Sequence, residues 1–319
     1  MPDRSLPSVS VVIPTKGRPD LLERCLAAVL ADQAASEVVV VVDGADPETE
    51  RLLERLAGRD SRLRATRTPE EPAELHRVQR GRDHGVGLAS SELVLSMDDD
   101  VVAGAGLVGG HARAHADRDD LVIVGYMPVV TERRWPRSSA QIKTYAGAYE
   151  EICDQFEADP SSILCQLWGG NVSVRRHRWL EAIKRPRVPS YLDDKEIGLL
   201  FLDDGLQAAF DRSLRADHFY ERTLRGLVER AEKNYVAQAD LRSAHSEAGR
   251  FYHPDESPRL HLRVLAAISR PAAGWFAVKW ILIALISLMA VLRIRVLEEK
   301  GEAVLSWLAW ERTAERHGG

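Results

Sequence analysis

The stretch that decides the fold is Glu92-Leu-Val-Leu-Ser-Met97, which is followed by Asp98-Asp99-Asp100. An apolar run of Leu and Val predicts a buried strand. Three adjacent carboxylates repel one another unless a cation neutralises them, and hard divalent cations prefer oxygen ligands. Open α/β sheets bind ligands at the carboxyl ends of their strands. We therefore expect a Mg²⁺ or Mn²⁺ site that holds a diphosphate; the alternative is an acidic turn that caps the next helix.

Strand and helix patterns alternate four times in the first hundred residues. Residues 8–14 and 62–68 are strand candidates, and the five valines at 38–42 are typical of a strand covered on both faces. Helical spacing of apolar residues separates these strands. This alternation predicts βαβ units in an α/β, Rossmann-like, doubly wound and mostly parallel sheet. Loops 15–18, 43–46 and 98–100 should then meet at one edge.

The rest of the chain has a less regular pattern. Helices are expected at residues 74–89, 105–116, 139–156 and 197–202, and strands at 121–128, 172–176, 206–210 and 214–220. Everything after residue 220 has a helical pattern. The expected organisation is one domain over 1–220, with a first half at about 1–120 and a second half at about 121–220. A helical C-terminal region follows over 221–319.

Composition narrows the function class. The formal net charge of −5 argues against nucleic acid as a partner. The three cysteines are widely spaced, which predicts neither a disulfide framework nor a zinc cluster. A reduced, cytoplasmic compartment fits this usage. The N-terminus has no basic region followed by an apolar core, so no signal peptide is expected.

Six motifs in order resemble those of the family-2 glycosyltransferases, which have the GT-A fold. They are Val11–Arg18, the valine run ending in Asp43-Gly44, Arg82-Asp83-His84-Gly85, Leu93–Asp100, Gly169-Gly170-Asn171 and Asp193-Asp194. The resemblance covers about residues 8–220. It implies that the domain at 1–220 is catalytic, with a donor half at about 1–120 and an acceptor half at about 121–220. It departs from the family pattern at Val42, where an aspartate is usual, and at Asp83, where an asparagine is usual. These departures bear on how the nucleotide base is recognised.

The resemblance implies a metal-dependent enzyme that moves a sugar from a nucleoside-diphosphate sugar to a hydroxyl acceptor, which could be a glycan, a lipid-linked group or a small molecule. Such a reaction needs a cation for the leaving diphosphate and a general base for the acceptor hydroxyl. The implied metal ligands are Asp98, Asp100 and His218. The implied donor contacts are Pro14, Thr15, Lys16, Arg18, Asp43, Arg82, Asp98 and Asp99. The implied base is Asp194, and Asp193 either orients it or contacts an acceptor hydroxyl. An inverting reaction is expected, with a retaining one left open. Helix capping is the alternative role for the 193–194 pair, and turn formation is the alternative for Asp43.

Two other function classes remain as alternatives. A sugar-phosphate nucleotidyltransferase should have a longer, glycine-rich loop in place of residues 15–18. A non-catalytic carbohydrate-binding protein should have lost the acidic residues. Gly104–Gly109 fits a dinucleotide fingerprint, but three aspartates separate it from the preceding strand. His111 and His115 are spaced as in zinc sites without the accompanying Glu, so we expect them to face solvent.

The C-terminal region contains an apolar stretch. Residues 275–292 are interrupted by Lys279 and Ser287 alone, and arginines lie on both sides. A membrane span needs about 20 residues, so this length is borderline. One interpretation is a helix at the inner face of a membrane, near a lipid-linked acceptor. The other is a helix of 271–319 that packs on the catalytic domain or forms a homodimer.

Overall fold

The computed structural model describes residues 6–68, 77–130, 139–188, 191–220, 224–250, 260–292 and 294–317. The strands are β1 (Val9–Thr15), β2 (Ala35–Val42), β3 (Leu63–Arg67), β4 (Leu93–Met97), β5 (Val101–Ala103), β6 (Leu121–Tyr126), β7 (Val129–Val130), β8 (Asn171–Arg175) and β9 (Gln207–Phe219). The helices are α1 (Pro19–Ala31), α2 (Pro47–Ala57), α3 (Arg77–Leu88), α4 (Leu107–Ala114), α5 (Ser139–Ala158), α6 (Arg176–Ala182), α7 (Asp193–Asp203), α8 (Leu224–Ala244), α9 (Leu260–Ser269), α10 (Ala272–Leu292) and α11 (Arg295–His317). Short 3₁₀ turns lie at Pro160–Ser162, Leu164–Gln166 and Ser246–Arg250.

The described strands form one mixed sheet in the order β3-β2-β1-β4-β8-β6-β9-β5, with β7 paired to β9. The strands β1 to β4 are mutually parallel. Strand β8 is antiparallel to both β4 and β6, which makes the second half of the sheet mixed. The predicted α/β class, with a doubly wound and mostly parallel sheet followed by a helical C-terminal region, is confirmed.

The sheet core follows from the valine run. All five valines of residues 38–42 are buried, as a strand covered on both faces requires. Val39 and Val41 join Val12 in a core that continues across β4, β6 and β8 to Trp179 and Phe201. The carboxyl ends of β1, β2 and β4 therefore lie at one rigid edge, which is where the site is found.

Several predicted elements needed correction. The two short strands expected at 206–210 and 214–220 are one strand, β9, because a register shift opposite Gly125 and Tyr126 accommodates its polar middle. The helix expected from residue 74 is described from Arg77, and residues 69–76 lie outside the described chain. The predicted exposure of His111 and His115 is wrong, since both are fully buried. Both rings bond to Ser173 on β8 at 2.7 and 2.9 Å, which lets a polar side chain lie inside the core.

The chain divides into two compact units. The first contains residues 1–130, 150–189 and 193–219, and the second contains 131–149, 190–192 and 220–319. The second unit thus has the helical C-terminal region and two short segments from within the range 1–220. Its core gathers α8, α10 and α11 around Val228, Trp275, Ile286, Leu305 and Leu308.

Candidate active site

Two loops after β1 and β2 are held together by backbone and side-chain bonds. The Asp43 N–H donates to the Thr15 carbonyl at 3.0 Å. Asp46 caps α2 through Thr49 and also accepts from the Gly17 N–H at 2.7 Å. Gly17 has a φ of 64°, a conformation that suits glycine. The loop at 15–18 is therefore fixed next to the end of β2, as the topology predicts.

The acidic triplet follows β4 at the same edge, and its middle member is turned inward. Asp99 is fully buried and accepts a 2.7 Å hydrogen bond from the Thr15 hydroxyl. Burial raises the pKa of Asp99 to about 7, against the opposing effect of Arg18. The side chains of Asp98 and Asp100 are 33% and 14% exposed to solvent. The two outer carboxylates are thus the accessible pair.

Arg18 closes the triplet on its open side. Its guanidinium pairs with both Asp99 and Asp100, and 46% of its side chain is exposed. The three carboxylates raise the pKa of Arg18, outweighing the burial that lowers it. Arg18 thus supplies a positive charge at the position where the sequence predicts a donor contact.

Arg82 links the triplet to the predicted catalytic pair. This guanidinium donates to Asp98 Oδ1 at 2.6 Å and to Asp193 Oδ2 at 2.9 Å. Its side chain is only 7% exposed. Burial disfavours the charge of Asp98, yet Arg82 and His218 hold the pKa of Asp98 below its usual range. Arg82, predicted as a donor contact, therefore lies between the partly exposed carboxyl of Asp98 and the buried carboxyl of Asp193.

The catalytic pair opens helix α7. Burial raises the pKa of Asp193 to about 7, with Arg82 opposing this shift and Asp194 adding to it. Asp194 is half-buried and accepts from the Lys195 N–H at 2.9 Å. Lys195 extends to the carbonyls of Gln166 and Leu167 at 2.9 and 3.0 Å. These bonds fix the first turn of α7 against the segment that leads into β8.

Glycines allow this segment to approach the triplet. A Cβ on Gly170 would lie 2.7 Å from Asp98 Oδ2, and one on Gly169 would overlap the Arg82 guanidinium. The carbonyl of Gly169 accepts from the Ser96 hydroxyl at 2.7 Å. The Gly-Gly-Asn segment is thus close to the metal motif because neither glycine has a side chain.

His218 lies beside the last member of the triplet. Strand β9 pairs with β5 so that His218 is opposite Val101. The His218 Nε2 atom is 3.7 Å from Asp100 Oδ1, and the Phe219 N–H donates to the Asp100 carbonyl at 2.8 Å. Sheet pairing alone therefore brings the imidazole to the carboxylate.

The donor set of Asp98, Asp100 and His218 fits a divalent cation in its chemistry, with carboxylate oxygens and one imidazole. Gly170 leaves space beside Asp98 Oδ2 that a side chain would fill. Among the described residues, no group of three His, Cys, Asp or Glu side chains already forms a metal cluster. Arginines instead neutralise the carboxylates. A cation at these residues would therefore have to take over the contact between Arg18 and Asp100.

Asp43 lies in a polar pocket at the end of β2. Lys16 contacts it at 3.1 Å and Arg80 at 3.2 Å, and the Thr68 hydroxyl donates to it at 3.3 Å. Pro14, also predicted as a donor contact, is on β1 opposite Val41. Asp43 therefore makes more contacts than a simple turn residue needs.

Sequence reasoning missed Arg80, Lys195 and Glu196. Glu196 is fully buried and binds Gln79 and Arg187, both at 2.8 Å. The available signals were the position of Gln79 and Arg80 on the same helix as Arg82, and the charged residues that follow Asp194. Their partners are distant in sequence, so spacing alone did not identify them.

The comparisons with known proteins agree with this geometry. The family described as Glycosyl transferase family 2 matches residues 10–194, which is more than half of the chain. The chain belongs to glycosyl transferase family 2. Its match includes the triplet and ends at Asp194. The family-2 membership predicted from the motifs is confirmed.

Curated relatives are similar over a shorter region. Validoxylamine A glucosyltransferases from Streptomyces hygroscopicus subsp. limoneus and subsp. jinggangensis (strain 5008) are each 34% identical over 111 residues, which is 35% of this chain. The match spans 24% and 26% of these relatives' lengths.

Solved structures show the fold. A mannosyltransferase, PcManGT from Pyrobaculum calidifontis, in complex with GDP-Man and Mn²⁺, has a TM-score of 0.58 at 17% identity, over 98% of this chain and 89% of its own. GalNAc-T7, solved with UDP, GalNAc and Mn²⁺, has a TM-score of 0.51 at 16% identity, over 69% and 44%. At these identities the likeness concerns the fold, and the predicted GT-A fold is confirmed.

Proposed function

We propose that this family-2 chain moves a sugar from a nucleoside-diphosphate sugar to a hydroxyl acceptor, with Mg²⁺ or Mn²⁺ as cofactor. The observation that carries the proposal is the bridge from Asp98 through Arg82 to Asp193. It joins the accessible carboxylates of the triplet to the first turn of α7 within two hydrogen bonds. Donor and acceptor chemistry need adjacent sites, and this bridge is the physical link that supports their adjacency.

The cation is assigned to Asp98, Asp100 and His218, where it would stabilise the charge that develops on the leaving diphosphate. Arg18 then becomes available for phosphate, because its exposed guanidinium no longer has to neutralise Asp100. Lys16 and Asp43 are assigned to the nucleotide, with Pro14 and Thr15 shaping the loop. Asp99 is assigned a supporting role, since its carboxyl is buried against Thr15 and Arg18.

Asp194 is assigned as the general base that takes the proton of the acceptor hydroxyl. It is the more exposed carboxylate of the pair, while Asp193 is committed to Arg82. Asp193 and Arg82 then position the first turn of α7. With one base and a single displacement, the sugar carbon would invert its configuration. The acceptor is a hydroxyl compound whose identity the fold does not specify.

The test measures turnover of a panel of nucleoside-diphosphate sugars, with the released nucleoside diphosphate as the readout. Asp194→Asn should lower kcat by at least about 100-fold and leave donor KM nearly unchanged, because general-base catalysis contributes that much. Asp203→Asn, at the other end of α7, is the matched control and should retain activity. Equal activity of Asp194→Asn and Asp203→Asn would refute the assignment of the base.

A further inference from the structure

One side of helix α10, in the second unit, is an apolar surface that is exposed to solvent. Twelve of the fifteen exposed large apolar side chains in the described residues lie between Val264 and Leu297. This concentration on one region is unlike the scattered exposure that is normal for a surface. Six of them, Phe276, Trp280, Ile281, Leu285, Leu288 and Val291, have exposures of 48–63%. We call these six residues the α10 outer face.

The α10 outer face occupies one half of its helix. At about 100° per residue, its six members lie on one half of the helix circumference. The buried residues Trp275, Ile286 and Ala290 lie on the other half. From Phe276 to Val291 the face is roughly 22 Å long at 1.5 Å per residue. With about 100 Å² exposed per large side chain, the whole region presents roughly 1,000 Å² of apolar surface, which exceeds the largest patch of most monomers.

The opposite half of α10 is fixed to its own unit. Trp275 and Ile286 pack in the core with Leu305 and Leu308 of α11. A Cβ on Gly301 would lie 2.7 Å from Ile286 Cγ1, so the two helices are in close contact there. Helix α10 is therefore apolar on both halves for different reasons. The inner half serves the core, and the outer half has no role in it.

We propose that the α10 outer face docks in the plane of a membrane whose surface carries anionic lipid. The charges of this region identify the partner. Residues 257–297 contain six cations, Arg259, Arg263, Arg270, Lys279, Arg293 and Arg295, and no Asp or Glu, in a chain of net charge −5. Cations beside an apolar face are attracted to anionic headgroups. Lys279 lies 5.8 Å from the Trp275 ring and 5.7 Å from the Trp280 ring, and tryptophan favours the lipid–water boundary.

The same charges disfavour a second copy of the chain as the cover. A two-fold interface sets identical surfaces against each other. By sequence, segment 257–297 of each copy contains six cations and no carboxylate, so pairing this segment with itself is opposed by like-charge repulsion. Anionic lipid supplies the missing negative charge.

An in-plane position fits better than a crossing. Helix α10 has 21 residues and a mean hydropathy of 2.3, enough in length and composition to cross a membrane. Crossing would bring α11, with Glu298 and Glu302 buried next to Gly301, into the hydrocarbon. Carboxylates are costly there. Docking by the outer face leaves the packing of α10 on α11 intact.

The experiment is flotation of the full chain with vesicles of phosphatidylcholine alone or mixed with phosphatidylglycerol. We expect flotation with the anionic vesicles and much less with the neutral ones. The double variant Phe276→Ser/Ile281→Ser should bind at least about tenfold more weakly, because it removes two apolar groups from the face. The matched control Leu6→Ser/Leu88→Ser removes exposed apolar side chains elsewhere and should bind like the wild type.

A charge variant and a site probe complete the test. Arg293→Gln/Arg295→Gln should weaken binding to anionic vesicles roughly thirty-fold, at about fivefold per cation. Lipids brominated on their chains should quench tryptophan fluorescence of the wild type, and Trp280→Phe should lose most of that quenching while the protein stays folded.

Three outcomes would overturn the proposal. The first is a chain that fails to float with either vesicle. The second is a dimer by light scattering that Phe276→Ser/Ile281→Ser dissociates without any vesicle binding, since a second copy would then cover the face. The third is bound protein that resists alkaline carbonate extraction, which would indicate a crossing helix instead of an in-plane one.

Discussion

Replacing Arg82 with alanine tests the link between the acidic triplet and α7. Arg82 is 7% exposed and binds both the buried carboxyl of Asp193 and the partly exposed carboxyl of Asp98. Breaking a buried pair by removing one partner costs about 3–5 kcal/mol, because a charge is left without compensation. Because Asp98 is partly exposed, we expect Arg82→Ala to lower the free energy of unfolding by about 3 kcal/mol, the lower end of this range, near neutral pH, as measured by urea denaturation. Arg55→Ala is the control: Arg55 and Glu23 are half exposed, so about 0–1 kcal/mol is expected.

The pH dependence of this loss sharpens the test. Burial raises the pKa of Asp193 to about 7, and Arg82 opposes that shift. Without the charge of Arg82, the folded-state pKa values of Asp98 and Asp193 should rise. Both carboxyls would then be protonated in the folded protein at a pH where they are ionised in the unfolded chain. A folded-state pKa above the unfolded value means that stability increases as pH falls between the two. The deficit of Arg82→Ala should therefore shrink from about pH 8 to about pH 5. A deficit equal to that of Arg55→Ala, or one that does not change with pH, would refute the bridge.

Two further predictions concern the fold around the site. Gly198→Ala on α7 should destabilise the protein by about 2–4 kcal/mol in thermal or urea unfolding, because the new Cβ would collide with the Leu164 carbonyl. The control is Gly147→Ala on α5, where a Cβ would have nothing within 4 Å and should stabilise the protein by up to about 1 kcal/mol. Equal effects of the two substitutions would contradict the close packing at Gly198. Burial lowers the pKa of His111 to about 4 and that of His115 to about 3. In the unfolded state both rings have a pKa near the ordinary 6.5, so below that pH the unfolded chain binds more protons than the folded one. The free energy of unfolding should therefore decrease as pH falls from about 6.5 to about 4. His111→Gln should decline less steeply over this range than the wild type, and parallel curves would contradict the burial of a neutral ring.

The sequence predicted the first half of the sheet because its signals are local. The valine run and the apolar run before Asp98 are each buried on both faces, and local hydrophobicity is enough to identify such strands. The convergence of loops 15–18, 43–46 and 98–100 then followed from parallel topology. Family motifs added Arg82, Asp193 and His218, none of which spacing alone would have selected.

The errors arose where partners are distant in sequence. The exposure of His111 was wrong because its two ring nitrogens bond to Ser173 and Asn171, about sixty residues away. The position of Arg82 between two carboxyls depends on the end of β4 and the start of α7 both lying beside α3, which no local pattern reports. Strand β9 was divided in two because its polar middle resembles a turn, although β6 pairs with it as far as Asp211 and again at Arg215, and β5 pairs with the residues that follow.

The proposed function requires a divalent cation and a nucleoside diphosphate to share the end of β4. The most direct measurement is isothermal titration calorimetry with UDP and GDP, in Mn²⁺ and in chelator, for the wild type, Asp100→Asn and the control Asp203→Asn. We expect at least one nucleotide to bind with Mn²⁺, and to bind at least about tenfold more weakly to Asp100→Asn or in chelator, while Asp203→Asn matches the wild type. Binding that is equally tight in chelator, or unchanged by Asp100→Asn, would contradict the account.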